Sequence, residues 1–550
     1  MDIYKSLYSI DPRLAWPGPL FLLFTLIAAV TVKAVPVGVG AEQLPKLTRW
    51  AIGIMLAIVV GEFVIAGKYL FYPGYIDHAE AHVAAVSWLG WEGYPLYPSF
   101  EAGDIYGIPY GPFLYQLNGI VLWLVGPSIG TSKFTGILAF AITQVLSLVA
   151  LRRTGASVGE AVTMTGAQCV LSAAFTDQAY VFGVRSDVLI FLIAQVAVLV
   201  AIARPTLLGI AIVGLLGGLE MNLKIHGALY VFPAFIWCLG RAPSLAAGMR
   251  LAAVGVFAGL LGVVLPFLPT NVSVVQYFHY FKVGANHPWL RWQLQENLLF
   301  AAMCLLPLGW IYLSFRPALP RAFFGFMAAL TASIALISFP ASAAGAGPHH
   351  FLPFLPSLFW ALQVMRRAAS EKLPDRPTRW RYDRVSFGLV VALLLGYGPI
   401  VFSSWFFALN RFKDAPLVNA AIAEINKSLA ENPGLKIAVG PGEASFDAER
   451  LRVIPVFRGN PLPFDSSAWD GLRGDGISEE PLRRKIGQCP VDLWLLPANA
   501  PFLTRSLYSG ERIYSTDLLR EFHANFELQH SGQIFDQWRC NHGSSERKQK

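Results

Sequence analysis

The chain has 550 residues, of which 55% are hydrophobic and only 14% are charged, and its mean hydropathy is +0.49. Soluble domains carry about 25% charged residues, so this composition excludes an ordinary soluble protein and indicates an integral membrane protein. The net charge of +8 does not indicate a nucleic-acid partner, because many basic residues lie in short loops between apolar runs, where they set membrane topology.

About twelve apolar runs are long enough to predict membrane-spanning helices, each of which needs about 20 mostly apolar residues. They lie near residues 14–32, 50–70, 134–151, 160–180, 186–203, 206–223, 225–240, 251–268, 296–315, 322–339, 351–365 and 385–407. The first run follows a leader that is poor in basic residues, so we interpret it as a retained span and not as a signal peptide.

The apolar run 111–125 is short and flanked by proline, and we predict an interfacial or re-entrant helix there. The distribution of basic residues supports leaving this helix out of the count of membrane spans. With the loop around Asp77 placed outside, most basic residues fall in inner loops, as the positive-inside rule requires. Counting 111–125 as a span would move Arg152 and Arg153 outside and break that pattern.

The outer loop predicted at residues 71–133 is acidic. Between Tyr69 and Ser132 there is no lysine or arginine. The same stretch carries five carboxylates, Asp77, Glu80, Glu92, Glu101 and Asp104. Asp77 follows a predicted span closely, and a carboxylate at that depth can take a proton from an acceptor hydroxyl. Glu80 lies one helical turn later and would share its face. The alternative is that Asp77 only caps an interfacial helix.

Tyrosines dominate the Gly- and Pro-rich run 103–115 of this loop. Tyr106 and Tyr110 suit stacking against a sugar ring, because the phenol has an apolar face and a polar tip. An aromatic belt at the membrane interface is the favoured explanation for each of them taken alone. His78 and His82 have the spacing of a metal pair, but the HExxH pattern is absent and a structural role is favoured.

Several charged residues and histidines fall at the predicted outer ends of later spans. They are Arg185, Asp187, Lys224, His226, His349 and His350. Ionisable groups at membrane depth are costly and indicate function by default. Arg185, Lys224 and His226 could bind a phosphate through charge-assisted hydrogen bonds. The alternative is a structural ion-pair network, for instance between Arg185 and Asp187.

The composition becomes more polar after about residue 408. Residues 413–431 predict an amphipathic helix, and 435–440 and 491–497 predict buried strands bounded by Gly and Pro. We therefore divide the chain into a membrane domain, 1–407, and a small α/β domain, 408–550, on the same side as the Asp77 loop. Cys489 and Cys540 can pair if this domain lies outside the cytoplasm, although their spacing alone does not decide it.

The order of these features resembles the GT-C glycosyltransferase superfamily, most closely its bacterial branches related to protein O-mannosyltransferases and aminoarabinose transferases. The resemblance covers roughly residues 50–365. It is carried by the early span, the acidic loop and Tyr110-Gly-Pro-Phe-Leu-Tyr115, followed by Arg185-Ser-Asp187, Lys224 and His349-His350. It implies an α-helical, polytopic membrane fold of the GT-C type.

The resemblance also implies an activity. Such enzymes move a sugar from a polyprenyl-phosphate donor to a glycan, lipid or protein acceptor with inversion, on the periplasmic face of a bacterial inner membrane. Asp77 matches the general base, and Arg185, Lys224 and the histidine pair match groups around the lipid phosphate. Glu80, Tyr106, Tyr110, Asp187 and His226 are further candidates for substrate binding. Some members use a divalent cation. Parts of the superfamily have an adjacent acidic pair, but here His78 follows Asp77, which leaves the metal open.

Several functional classes outside this superfamily are less well supported by the sequence. No GxxxxGK[ST] phosphate loop occurs in it, so ATP hydrolysis is not indicated. A transporter or flippase is the main rival, but such proteins commonly have repeated halves, and no repeat is visible. A polysaccharide ligase or polymerase is a second rival, and a non-catalytic assembly protein is a third.

Overall fold

The structure is a computed structural model. It describes residues 44–541 except 109, 177–180, 204–205, 285–288, 316–318, 344–345, 371–375, 441–447, 464, 474–475 and 499–511. The predicted span 14–32 therefore lies outside the described residues. Within the described residues up to 412, the α-helices are α1 (Leu44–Phe71), α2 (His78–Trp91), α3 (Pro112–Val125), α4 (Ile129–Arg153), α5 (Val158–Phe175), α6 (Ser186–Ile202), α7 (Leu207–Met221), α8 (Ala228–Gly240), α9 (Leu245–Val264), α10 (Val274–Gly284), α11 (Arg291–Phe315), α12 (Arg321–Ile337), α13 (Leu355–Ser370) and α14 (Arg376–Phe412).

Most of these helices coincide with the predicted apolar runs, and the chain is a multi-pass membrane protein. Six of the described segments are long and apolar enough to cross a membrane, namely 52–71, 129–153, 245–267, 291–313, 321–342 and 393–412. Four shorter apolar helices, α3, α6, α7 and α8, accompany them. The predicted helix at 111–125 is present as α3. The total of about twelve spans stays a prediction, as does the interfacial or re-entrant position of α3.

Close helix packing against α9 holds the turn between α7 and α8 in place. An added Cβ at Gly214 would lie 2.0 Å from the carbonyl oxygen of Gly255, and one at Gly218 would lie 2.0 Å from that of Gly259. Glycine lets the two backbones meet, as is common between helices in membranes. The Asn222 side chain then donates to the carbonyls of Gly262 and Val263, each at 3.0 Å. The turn 222–227, which carries Lys224, is thereby anchored to α9.

Substituting Gly218 with Ala is expected to destabilise the protein by about 1–3 kcal/mol, because the new methyl group must push two helix backbones apart. The measurement is thermal unfolding in detergent. Gly53→Ala is the matched control, since nothing lies within 4 Å of a Cβ added there and alanine favours helix by up to about 1 kcal/mol. Equal melting temperatures for the two variants would show that the α7–α9 contact is not tight.

The outer loop 71–133 contains two helices and a short 3-10 turn. α2 begins directly after Asp77, the turn covers Phe100–Ala102, and α3 begins after Gly111. The backbone of Gly111 lies so close to Asn222 that an added Cβ would be 2.1 Å from the Asn222 carbonyl oxygen. The loop is therefore packed directly against the α7–α8 turn, which brings two distant parts of the sequence together.

The C-terminal region forms a small domain around a mixed four-stranded sheet. Its elements are α15 (Ala415–Glu431), β1 (Ile437–Val439), α16 (Val453–Phe457), α17 (Ser466–Arg473), α18 (Glu480–Gly487), β2 (Leu493–Pro497), α19 (Thr516–Asn525), β3 (Phe526–Ser531) and β4 (Phe535–Cys540). The strand order is β1-β2-β4-β3, with β1 parallel to β2 and the other two pairs antiparallel. The predicted helix and both predicted strands are present, whereas β3 and β4 were not predicted.

Two kinds of bond tie this domain together and to the rest of the chain. Cys489 and Cys540 form a disulfide with their Cα atoms 5.9 Å apart, which joins the end of β4 to the turn before β2. The loop residue Ile105 exchanges backbone hydrogen bonds with the domain: Asp465 N donates to its carbonyl at 2.7 Å, and its own amide donates to Pro463 at 3.3 Å. The division at residue 407 stays a prediction, and α14 itself runs on to Phe412.

Candidate active site

Asp77 is buried and paired with a cation from a distant part of the chain. It occupies the N-cap position of α2 with an exposed fraction of only 3%. Arg185 is the residue that precedes α6, and its Nη1 atom donates to Asp77 Oδ2 at 3.0 Å. Asp77 is therefore both the N-cap residue of α2 and one partner of a buried ion pair, and its role as general base stays a prediction.

A chain of polar contacts continues from this pair into the α7–α8 turn. Arg185 Nε lies 3.6 Å from Asp187 Oδ2, and Lys224 Nζ donates to Asp187 Oδ1 at 2.6 Å. Lys224 Nζ also lies 3.4 Å from His350 Nε2. Two acids and two cations thus alternate across the site, all of them largely buried. Buried opposite charges in contact stabilise each other, whereas removal of one partner is costly.

The three histidines of the site are neutral. Because the Lys224 ammonium can only donate, His350 Nε2 accepts, and its Nδ1–H donates to the Gly347 carbonyl at 3.1 Å. The rings of His349 and His226 pack against His350 with centroids 4.5 and 5.3 Å away. Burial is the main cause that lowers the pKa of His226 and of His349 to about 3. The positive charge of the site near pH 7 therefore comes from Arg185 and Lys224.

Glu80 lies behind Asp77 and holds the surrounding backbone. It is fully buried, and its Oε2 accepts from the amides of Ile76 at 3.2 Å and Asp77 at 2.9 Å. Its Oε1 accepts from Val184 N at 3.0 Å and from the Tyr69 hydroxyl. One carboxylate thus fixes the residues next to both partners of the Asp77–Arg185 pair. Burial, with the neighbouring Asp77 charge, raises the pKa of Glu80. Its predicted contact with substrate stays a prediction.

Lys133 supports the same segment from α4, a role that the sequence did not reveal. Its side chain is completely buried, and Nζ donates to the carbonyls of Tyr69 at 2.9 Å and Tyr72 at 2.6 Å. The ammonium also lies 4.3 Å from the centroid of the Tyr69 ring, within cation–π range. Next to it on α4, Ser132 Oγ lies 2.7 Å from the Tyr75 hydroxyl. The chain between α1 and Asp77 is thereby held to α4.

Tyr106 and Tyr110 make their hydrogen bonds within the loop. The Tyr106 hydroxyl donates to the Pro95 carbonyl at 2.9 Å, and the Tyr110 carbonyl accepts from the Tyr97 hydroxyl at 2.6 Å. Tyr106 is buried, while Tyr110 is partly exposed and precedes Gly111, which contacts the turn carrying Lys224. Stacking of a sugar on either ring stays a prediction, and Tyr110 is the better placed of the two.

The fold thus brings together predicted site residues from distant parts of the sequence. They lie at the starts of α2 and α6, in the α7–α8 turn and in the 3-10 turn Pro348–Phe354. Asp77, Arg185, Asp187, Lys224 and His350 form one connected chain, with His349 and His226 packed against it. Among the residues that the structure describes, no three His, Cys, Asp or Glu side chains converge as metal ligands.

Comparison with known proteins shows which fold the chain has. No family model and no curated protein matches the chain. The crystal structure of ArnT from Cupriavidus metallidurans bound to undecaprenyl phosphate superposes with a TM-score of 0.53 and 13% identity, covering 90% of this chain and 99% of that one. The apo crystal structure of the same protein gives a TM-score of 0.51 and 14% identity, covering 88% of this chain and 97% of ArnT. The chain has the GT-C fold.

The GT-C fold confirms the resemblance predicted from the order of motifs, and the similarity to ArnT extends over 90% of this chain. A cryo-EM structure of the arabinosyltransferase EmbB from Mycobacterium smegmatis also matches, with a TM-score of 0.40 and 13% identity, over 72% of this chain and 42% of that one. At such identities the comparisons show the GT-C fold alone, because one fold can carry different activities.

Acidification is expected to destabilise the protein through two histidines of the site, His226 and His349. An unfolded histidine titrates near pH 6.5, while folded His226 and His349 have pKa values of about 3, so below about pH 6.5 the unfolded state binds more protons. Their stabilising contribution is complete above about pH 6.5 and is lost as the pH falls toward about 3. When the pH is lowered from about 7 to about 5, the free energy of unfolding should fall by about 1–2 kcal/mol less in His349→Gln than in the wild type.

The measurement is thermal unfolding in detergent at both pH values. His279→Gln is the control, because His279 lies exposed on α10 and its replacement should leave the pH dependence as in the wild type. A His349→Gln protein with the same acid sensitivity as the wild type would show that His349 is not held neutral by the fold.

Proposed function

We propose that the chain is a membrane glycosyltransferase that moves a sugar from a polyprenyl-phosphate donor to an acceptor hydroxyl with inversion at the anomeric carbon. The observation that carries the proposal is the contact chain from Asp77 through Arg185 and Asp187 to Lys224. In it the carboxylate proposed as the base lies with the side chains of Arg185 and Lys224 in one buried region of a GT-C fold. The ArnT structure with undecaprenyl phosphate supports this class of donor.

In the proposed reaction the Asp77 carboxylate takes the proton of the acceptor hydroxyl as its oxygen attacks the anomeric carbon. The bond between that carbon and the phosphate oxygen breaks, and its electron pair leaves with the phosphate. Attack and departure on opposite faces invert the configuration. Negative charge grows on the leaving phosphate, where Arg185 and Lys224 would stabilise it through charge-assisted hydrogen bonds.

Arg185 connects the two halves of this reaction. In the structure it donates to Asp77 and lies beside Asp187, so its guanidinium lies between the proposed base and the Asp187–Lys224 pair. A guanidinium presents five N–H donors and can bind two acceptors at once. When a phosphate enters, Arg185 would bind it while it keeps Asp77 oriented. Uncharged His349 and His350 would face the phosphate as neutral hydrogen-bonding groups.

We place the site and the C-terminal domain on the periplasmic face of a bacterial inner membrane. Two observations support this location. The basic residues concentrate in loops on the side opposite to the Asp77 loop, as the positive-inside rule predicts. The Cys489–Cys540 disulfide is of a kind that persists in oxidising compartments.

The activity can be tested before the sugar is identified, because every such reaction releases the same lipid phosphate. Purified protein is mixed with membranes that supply acceptors and with a panel of undecaprenyl-phosphate hexoses and pentoses. We expect undecaprenyl phosphate and a glycosylated acceptor to appear with one member of the panel, and no transfer from nucleotide sugars. Movement of these lipids across proteoliposome membranes without any sugar transfer would instead identify a flippase.

A further inference from the structure

The C-terminal domain inserts a buried acid beneath the helix that begins at Asp77. The Asp465 side chain has no exposed surface, and its Oδ2 lies 2.5 Å from Arg452 Nη2 and 3.2 Å from Nδ1 of His82. Arg452 belongs to the same domain, whereas His82 lies on α2, five residues after Asp77. Burial alone would raise the pKa of Asp465, but Arg452 and then His82 hold it well below its usual range. Asp465 is therefore ionised, and it links the two parts of the protein.

A second contact of the C-terminal domain lies on the other side of Asp77. The Arg450 Nη1 atom donates to the carbonyl of Tyr75 at 3.3 Å. The segment 75–82 is thus attached to the domain at both of its ends, with Asp77 between the two attachments. The short helix α16 and the turn Ala448–Leu451 pack against α2 along the same face. Such two-point attachment restricts both the translation and the rotation of the N-terminus of α2.

Two side-chain ion pairs between the domain and the loop are less buried and lie farther along the chain. Lys485 Nζ lies 3.1 Å from Asp104 Oδ2, with about a third of each side chain exposed. The Arg484–Glu101 pair is 3.7 Å apart and mostly exposed. Exposed pairs of this kind contribute little. The buried link through Asp465 is therefore the one suited to fixing the geometry around Asp77.

We propose that Asp465 and His82 are positioning residues, through which the C-terminal domain holds Asp77 at the distance and angle needed for proton removal from the acceptor. This inference rests on the proposed function, in which Asp77 is the base. A reacting group displaced by about 1 Å can lose about 100-fold in rate. The domain would thereby act on the rate of transfer, while binding of the lipid phosphate at Arg185 and Lys224 is left largely unchanged.

The main test variant is His82→Phe, which removes the link to α2 and leaves the Asp465–Arg452 pair intact. The Phe ring keeps the aromatic contact with Tyr115, whose centroid lies 6.4 Å away. Asp465→Asn is the second variant, and Lys485→Gln, which breaks only the half-exposed pair with Asp104, is the matched control. Three quantities are measured for each purified protein: the turnover number with the donor identified above, the affinity for undecaprenyl phosphate, and hydrogen–deuterium exchange of peptides covering residues 72–90.

We expect His82→Phe and Asp465→Asn to lower the turnover number by about 10- to 100-fold, with the affinity for undecaprenyl phosphate within about threefold of the wild type. Amide exchange at residues 75–82 should rise in both variants, whereas Lys485→Gln should behave as the wild type. If the effect passes through Asp77, then adding His82→Phe to Asp77→Asn should cause no further loss of turnover.

Wild-type turnover and wild-type exchange in both variants would overturn the inference. Equal losses of turnover and affinity, without a local rise in exchange, would also overturn it, because they indicate a general defect. Failure of the proposed function is distinguishable: full turnover in Asp77→Asn would remove Asp77 as the base. The exchange measurement needs no substrate and would still show whether the domain holds this segment.

Discussion

Replacement of Asp77 by Asn is expected to slow sugar transfer by about 100- to 10,000-fold, the range typical for loss of a general base. The substitution keeps the size of the side chain and its oxygen acceptor, but an amide cannot take the acceptor proton. Undecaprenyl phosphate should still bind with an affinity within about threefold of the wild type, because Arg185 and Lys224 remain. The measurement is release of undecaprenyl phosphate at saturating donor.

Glu101→Gln is the matched control for this prediction. Glu101 belongs to the same acidic loop, but its side chain is mostly exposed and its nearest cation, Arg484, is 3.7 Å away. Its turnover should equal that of the wild type. Retention of more than about half of the wild-type rate by Asp77→Asn would exclude proton removal by Asp77, since even weak general-base catalysis contributes more than that.

The second large effect is expected for Lys224→Gln, which should weaken binding of undecaprenyl phosphate by about 10- to 100-fold. Hydrogen bonds to charged groups contribute about 1.5–3 kcal/mol, and a tenfold change in affinity corresponds to about 1.4 kcal/mol. The neutral histidines around Lys224 cannot replace its charge. Affinity is measured by titration of the purified protein with undecaprenyl phosphate in detergent.

The single variant also leaves the carboxylate of Asp187 with one partner fewer, which can disturb the fold. The double variant Lys224→Gln with Asp187→Asn removes both charges and keeps the balance of the buried cluster. It should fold as the wild type and still bind weakly. Lys68→Gln, which removes an exposed cation at the end of α1, should bind normally. Full affinity in the double variant would mean that Lys224 does not contact the phosphate.

Much of the helical architecture could be predicted from the sequence, because a membrane imposes a simple requirement on length and polarity. The same requirement singled out Arg185, Lys224 and His349, since ionisable groups at span ends are costly and therefore conspicuous. Their assembly with Asp77 could only be proposed, because neither hydropathy nor spacing reveals which loops meet. The close contacts at Gly111 and Asn222, which join the outer loop to the α7–α8 turn, became visible only in the fold.

Other parts of the site gave no usable signal. Lys133 resembles a cation at the membrane interface in sequence, but it binds carbonyls 61 and 64 residues earlier and is fully buried. Glu80 was predicted on a shared face with Asp77, but its bonds to the Asp77 and Val184 amides could not be predicted from the sequence. His82 and Asp465 are far apart in the chain, so no local pattern connects them. The strands β3 and β4 were missed because both are short and mix apolar with polar residues, and β3 is exposed along most of its length.

The most direct measurement is a structure of the protein with undecaprenyl phosphate bound, determined by cryo-EM in lipid nanodiscs. The account predicts phosphate density within about 4 Å of Lys224 Nζ and of the Arg185 guanidinium, with Asp77 facing the phosphate across a space large enough for one sugar. A phosphate bound away from both cations, for instance beside Lys68 at the end of α1, would contradict it.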